Sequence, residues 1–197
     1  MDLRYLKLQK KFDCFLPYDQ IERTYNALVQ HLNKDLPKET TKTLKEDLVY
    51  GLIRKATNMK VLRSIWIMKR NIDLFIPGLY GSSKIIGSSS FKGLAIEVDG
   101  DVHNLQSKMN KDNSKYGQLH TLGIALYTVE NHDVYQPSFR AFVDQLPGLP
   151  QLDTRGRKRV MRNIYLATLA AHKRDFPLDQ YLMSYQIELI EQAGGLR

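Results

Sequence analysis

Two carboxylates stand inside apolar runs of this chain. Asp73 lies between Ile72 and Leu74 in NIDLFIP, and Glu97 lies between Ile96 and Val98 in LAIEV. Burying a carboxylate is costly unless it is paired or binds a cation. On neighbouring strands, two such acids can converge on one hard divalent metal, since magnesium prefers oxygen ligands and keeps part of its hydration. The ion would polarise a phosphate and lower the pKa of an attacking water. The plainer alternative is a pair of strand-end acids that face solvent or meet an arginine.

Both acids need strands to carry them. Residues 71–77 alternate, with Ile72, Leu74 and Ile76 set against Asn71, Asp73 and Phe75. Residues 94–98 form a compact apolar strand, and Asp99-Gly100 turns the chain. Between them, 78–93 is rich in glycine and serine and reads as a loop or hairpin tip. Residues 61–68 and 124–129 read as further strands. Residues 108–122 are polar with periodic Met109, Tyr116 and Leu119, a helix stopped by Gly123. Upstream, Ile21, Tyr25, Leu28, Val29 and Leu32 share one helical face. A second helix is expected over 44–55, capped by Thr40, Thr41 or Thr43, with Leu44, Leu48 and Leu52 on one side and Val49 and Ile53 beside them. Two more helices are expected over 160–173 and 178–193. The order is α/β with a mixed sheet.

At 197 residues, with 43% hydrophobic and 25% charged residues, the chain is one large globular domain or one domain with a small appendage. No apolar run approaches the ~20 residues of a membrane span. Residues 1–11 lack the apolar centre of a signal peptide. A single cysteine, Cys14, excludes an internal disulfide and a multi-cysteine zinc site. These features fit a reducing interior and make a cytoplasmic location the expectation. The aromatics Tyr5, Phe12, Phe15, Tyr18 and Tyr25 sit at the spacing of a helical core.

The net charge of +8 suits a polyanionic partner, nucleic acid above all, although a lysine-biased surface would produce the same number. The charge peaks at Arg155, Arg157, Lys158, Arg159 and Arg162, five cations in eight residues with no acid among them. Clustered cations are what phosphate contacts need. Otherwise this run is a solvated linker.

Asp73, a glycine-rich excursion and then Glu97-Val98-Asp99 resemble the signature of the PD-(D/E)XK nuclease superfamily. Within it the chain is most similar to the small very-short-patch-repair-like endonucleases. Their run I-E-V-D-G-x-x-H is matched by Ile96 to His103, their helix-borne acid with an arginine eight residues on by Glu46 and Arg54, and their D-x-x-(R/K)-x-x-x-L-x-x-x-G by Asp112, Lys115, Leu119 and Gly123. The resemblance covers about residues 40–131. It implies a nuclease-like core over 40–147, with a helical extension at 1–39 and a basic helical region at 148–197.

The implied fold is restriction-endonuclease-like, a mixed β-sheet flanked by helices. The implied reaction is hydrolysis of DNA phosphodiester bonds with Mg2+ or Mn2+. Asp73 and Glu97 correspond to the metal ligands, with the backbone carbonyl of Val98 as a third. Glu46 resembles the auxiliary acid that orients metal-bound water. His103 is placed as ligand, phosphate contact or general acid, and Lys111 and Lys115 as contacts to the scissile phosphate. One position departs from the wider superfamily: Asp99 stands where a lysine would help activate water. The close relatives share the Asp, so it completes the catalytic set of Glu46, Asp73, Glu97, Asp99 and His103. A lone centre cuts both strands only by acting twice or by pairing, which makes a homodimer an expectation. The competing expectation is a nucleic-acid-binding module of the same fold without turnover.

Overall fold

A computed structural model describes residues 17–34, 44–83, 88–99, 117–130 and 132–192; for 82–83, 88–90, 99, 185–187 and 189–191 the description is of backbone alone. In chain order the elements are α1 (Tyr18–Lys34), α2 (Leu44–Thr57), β1 (Leu62–Ile67), β2 (Arg70–Ser83), β3 (Ser88–Asp99), β4 (Ile124–Glu130), α3 (Pro137–Gln145), α4 (Thr154–Ala171) and α5 (Leu178–Gln192). Short 3-10 turns at Asp133–Tyr135 and Leu146–Gly148 flank α3. The protein is therefore mixed α/β, a four-stranded sheet with helices on both faces.

The sheet runs in the order β1-β2-β3-β4. The first three strands are antiparallel neighbours, and β4 joins β3 in parallel after a crossover that carries a helical segment at 117–121. Gly123 closes that segment at φ +68, the left-handed stop expected of it. The glycine- and serine-rich stretch expected to be loop is largely strand. β2 and β3 form one long hairpin paired as far as Ser83 and Ser88, with register shifts on either side of Gly81. Small residues tolerate the bulges that such shifts require.

Two apolar layers enclose the sheet. On the first face, Ile21, Tyr25 and Leu28 of α1 and Ile164, Tyr165 and Leu169 of α4 pack with Ile65, Ile67, Ile72, Phe75 and Ala95. The Tyr25 and Tyr165 rings stack with centroids 3.9 Å apart. On the second face, Val49 and Ile53 of α2 and Phe139, Phe142 and Val143 of α3 meet Leu74, Ile76, Leu94, Ile96 and Val98. Helix α3, nine residues with Pro137 in its first turn, has no counterpart in the sequence reading. Its apolar stripe is too short to stand out from the surrounding loop.

Early in β2 the strand alternation breaks. Ile72 and Phe75 share the first face, whereas Leu74 and Ile76 lie on the second. The sequence reading, which set Phe75 with the polar positions, is corrected here. Arg63 pairs with Leu74 and Ile65 with Ile72, so Ser64 stands opposite Asp73, and Ser64 has φ +49. The β1–β2 register is unshifted across this step, so the exchange of faces in β2 lies opposite a residue held at positive φ. Phe75 is fully buried and lies over Gly93, where a Cβ would meet its ring at 2.7 Å.

The β1–β2 turn is held from the helical layer. Met68, at φ +55, donates its N–H to Thr168 Oγ1 at 2.8 Å. The Tyr25 hydroxyl donates to the Trp66 carbonyl at 2.8 Å. His172 Nε2 lies 2.9 Å from the Met68 carbonyl, which can only accept, so the neutral ring carries its proton on Nε2. Nδ1 is then a buried acceptor without a hydrogen bond, 3.8 Å from the Asp175 carboxylate. Burial pushes the His172 imidazole below its usual value of 6.5, helped by Lys69 and His31 and opposed by the Met68 carbonyl and Asp175.

A histidine depressed in the folded state resists protonation there while the unfolded chain accepts a proton. Its contribution to stability is whole above about pH 6.5 and fades as pH falls from there through the lowered folded value. Denaturant unfolding at about pH 7.5 and about pH 5 should show a larger acid loss for the wild type than for His172→Gln, which keeps a donor for Met68 but does not titrate. Equal losses would remove His172 from the pH response.

Candidate active site

Asp73 and Glu97 lie on the adjacent strands β2 and β3. The backbone ladder ends at Leu74 opposite Ile96. One step further, where continuing register sets Asp73 opposite Glu97, Asp73 Oδ2 accepts the Val98 N–H at 2.9 Å. A carboxylate thus occupies the place of a strand carbonyl. Asp73 is half-buried, while Glu97 is only 6% exposed. Both are engaged with neighbours.

Glu97 shares the first face with Ala95, since its flanks Ile96 and Val98 belong to the second. Beside it in β4 the pairing places Thr128 next to Glu97 and Glu130 next to Asp99. Ile124 on β4 is buried, Leu126 half-buried, and Thr128 and Glu130 exposed. The first face therefore opens to solvent along β4, and Glu97 stands at the inner margin of that opening. Carboxyl ends of parallel strands are where open α/β sheets commonly place ligands.

Glu46 approaches differently. It lies in the first turn of α2, three and seven residues before the core-facing Val49 and Ile53. That helix packs Val49 and Ile53 on the second face. The structure places Asp73 against the Val98 backbone, one residue from Glu97, and among the described residues no group of three ligand atoms unites Glu46, Asp73 and Glu97. Asp99 closes β3, and its side chain lies outside the described residues, as do His103, Lys111, Asp112, Lys115 and Cys14.

A second polar group gathers just past β4. Among the described residues, Glu130, His132 and Asp133 bring ligand atoms within 4.8 Å of one another. His132 Nε2 lies 3.6 Å from Glu130 Oε2 and 3.4 Å from Asp133 Oδ1. The run Asn131-His132-Asp133 directly after an apolar strand was the available signal, and sequence reasoning missed it. All three are at least partly exposed, and exposed acids gather in this way without an ion.

The basic run falls inside α4, not in a linker. Asp153 caps the helix, accepting the Gly156 N–H at 2.6 Å. Arg155, Lys158 and Arg159 are exposed, and Arg157 and Arg162 are half-buried. Arg157 is partly structural: its stem fills the space above Gly78 and it donates to Thr154 Oγ1 at 3.3 Å. Lys158 reaches over the Tyr18 ring at 5.7 Å. Cations in the first turns of a helix oppose its dipole, and an anion placed there would relieve that strain. Leu152 N–H to Gly78 C=O ties the start of α4 to β2, and Thr168 ties its end to Met68. The helix lies along β2 with Asp73 between the two ties and the basic run at the Gly78 end.

No helix among the described residues is long and apolar enough to cross a membrane. No family model matches the chain, and neither a curated protein nor a solved structure does.

Proposed function

We propose that this protein is a metal-dependent endonuclease that hydrolyses DNA phosphodiester bonds. The observation that carries the proposal is Asp73 and Glu97 on adjacent strands, with the Asp73 carboxylate accepting the Val98 N–H beside Glu97 where the β2–β3 ladder gives way to a side chain. The donor set is all oxygen, which fits a hard divalent cation such as Mg2+ or Mn2+. Asp73 and Glu97 would hold the ion, with the Val98 carbonyl as a further donor. The ion would supply Lewis acidity and a water of lowered pKa. The Val98 N–H fixes the Asp73 carboxylate, and the strand fixes Glu97, so the two need little rearrangement on binding. The +8 chain and the cationic start of α4 would attract and orient the polyanion.

The direct test is incubation of supercoiled plasmid and of single-stranded DNA with Mg2+, Mn2+ or EDTA. Cleavage with metal and none with EDTA is expected. The second reading, a binding module without turnover, is favoured by Asp99 where the wider superfamily has lysine. Tight binding with no cleavage under any divalent metal would replace the first reading by this one.

The three exposed cations Arg155, Lys158 and Arg159 are the ones to remove, because Arg157 also packs against Gly78. Their triple alanine variant should bind DNA more weakly. It should also flatten the plot of log affinity against log salt by about 0.9 for each lost phosphate contact. An unchanged slope would return this helix end to a solvated surface.

A further inference from the structure

Helices α2 and α3 lie side by side on the second face, and the groove between them is open. Leu48, Leu52, Ala56, Val134, Phe139 and Val143 line a cavity of about 510 Å³. Its apolar wall continues outward. Leu44, Leu48 and Leu52 follow one another at four-residue spacing along α2, with Leu44 88% and Leu52 38% exposed, and Tyr135 at the far lip is 73% exposed. Val49 and Ile53 beside them are buried. So α2 spends one stripe on its own core, and among the described residues nothing covers the second. Contiguous apolar surface of this kind marks an interaction site.

The rim says what that partner is. Lys55, Arg140 and Asp144 edge the groove. Arg140 and Asp144 are exposed one turn apart on α3, and neither is ion-paired to another described residue. At +8 the chain as a whole tends to repel a second copy. This rim carries both signs in adjacent turns. A two-fold axis presents the same patch to itself, so a rim with both signs is self-complementary where a purely basic one is not.

We propose that the α2–α3 groove is the docking face for a second copy of this chain, with Leu44, Leu52 and Tyr135 buried between copies and Arg140 facing the partner's Asp144. The assignment is independent of catalysis, because it uses neither Asp73 nor Glu97.

The test is light scattering or sedimentation of the full chain from about 1 to 100 µM, a span that brackets ordinary dimer affinities. The wild type should be a dimer at the upper end. Leu52→Glu should be a monomer throughout, and Tyr135→Ala should raise the dimer dissociation constant by about tenfold or more. Both sites are exposed, so both variants should keep the wild-type circular dichroism. Arg140→Asp alone and Asp144→Arg alone should each weaken the dimer by about tenfold, and the double exchange should restore it. A wild type that is monomeric at 100 µM, as a groove built for a different protein would leave it, overturns the proposal. So does a dimer indifferent to Leu52→Glu and Tyr135→Ala, or a double exchange no better than either single one.

Discussion

Asp73→Asn and Glu97→Gln should each lower DNA cleavage by about 10³-fold or more, since Lewis-acid stabilisation is worth several kcal/mol and each 1.36 kcal/mol is tenfold in rate. Each change keeps shape and removes the charge a cation requires. Structure should survive. An asparagine retains an oxygen to accept the Val98 N–H that Asp73 Oδ2 now takes at 2.9 Å. Asp73→Ala is the informative contrast, because it strands that N–H in the strand and should cost about 1–3 kcal/mol of stability besides activity. DNA binding by the Asn and Gln variants should persist or tighten, because the phosphate meets less negative charge. Plasmid nicking rates, fluorescence anisotropy and denaturant midpoints together separate these effects. Wild-type cleavage by both variants would end the assignment of a nuclease centre here.

Phe75→Ala should be the most damaging change outside that site. The ring is fully buried against the α1–α4 layer, and removing it should cost about 3–5 kcal/mol, a large share of a domain's stability. Its seat is Gly93, on the adjacent strand. Gly93→Ala would drive a methyl into the ring and should cost about 1–3 kcal/mol by overpacking. Together the two should cost less than their sum, because the new methyl enters the space the ring vacates. Chemical denaturation of the four proteins measures that coupling. Strict additivity would mean that the ring and the glycine do not constrain each other.

Phe75 also shows how far the sequence could be read. Alternation across 71–77 located a strand correctly, and the acids within apolar runs marked Asp73 and Glu97. Period-two reasoning then put Phe75 among the outward positions and Ile72 with Leu74, because it assumes an unbroken pleat. The left-handed Ser64 lies on the partner strand, and nothing within 71–77 announces it. The same limit explains the long hairpin: glycine and serine density signals loop wherever bulged strand is equally compatible with it. Leu44, Leu48 and Leu52 were legible as a helical stripe. Which of the two adjoining stripes of α2 meets the sheet was not, since periodicity identifies an apolar face without saying what covers it. Glu46, placed by resemblance beside the other acids, lies in the first turn of α2, a helix whose apolar side packs on the second face.

The turn at Met68 has a consequence for synthesis. Its N–H and carbonyl are satisfied by Thr168 and His172, the first of them 100 residues later in the chain. A ribosome adding about 5–20 residues per second needs about 5–20 s to make that stretch. Throughout that interval the hairpin is already outside or emerging, while the helix that completes its turn and covers Ile65, Ile72 and Phe75 does not yet exist. The nascent protein therefore presents this sheet face with only α1 to cover it for seconds, and the interval ends only when the residues around Thr168 and His172 leave the exit tunnel.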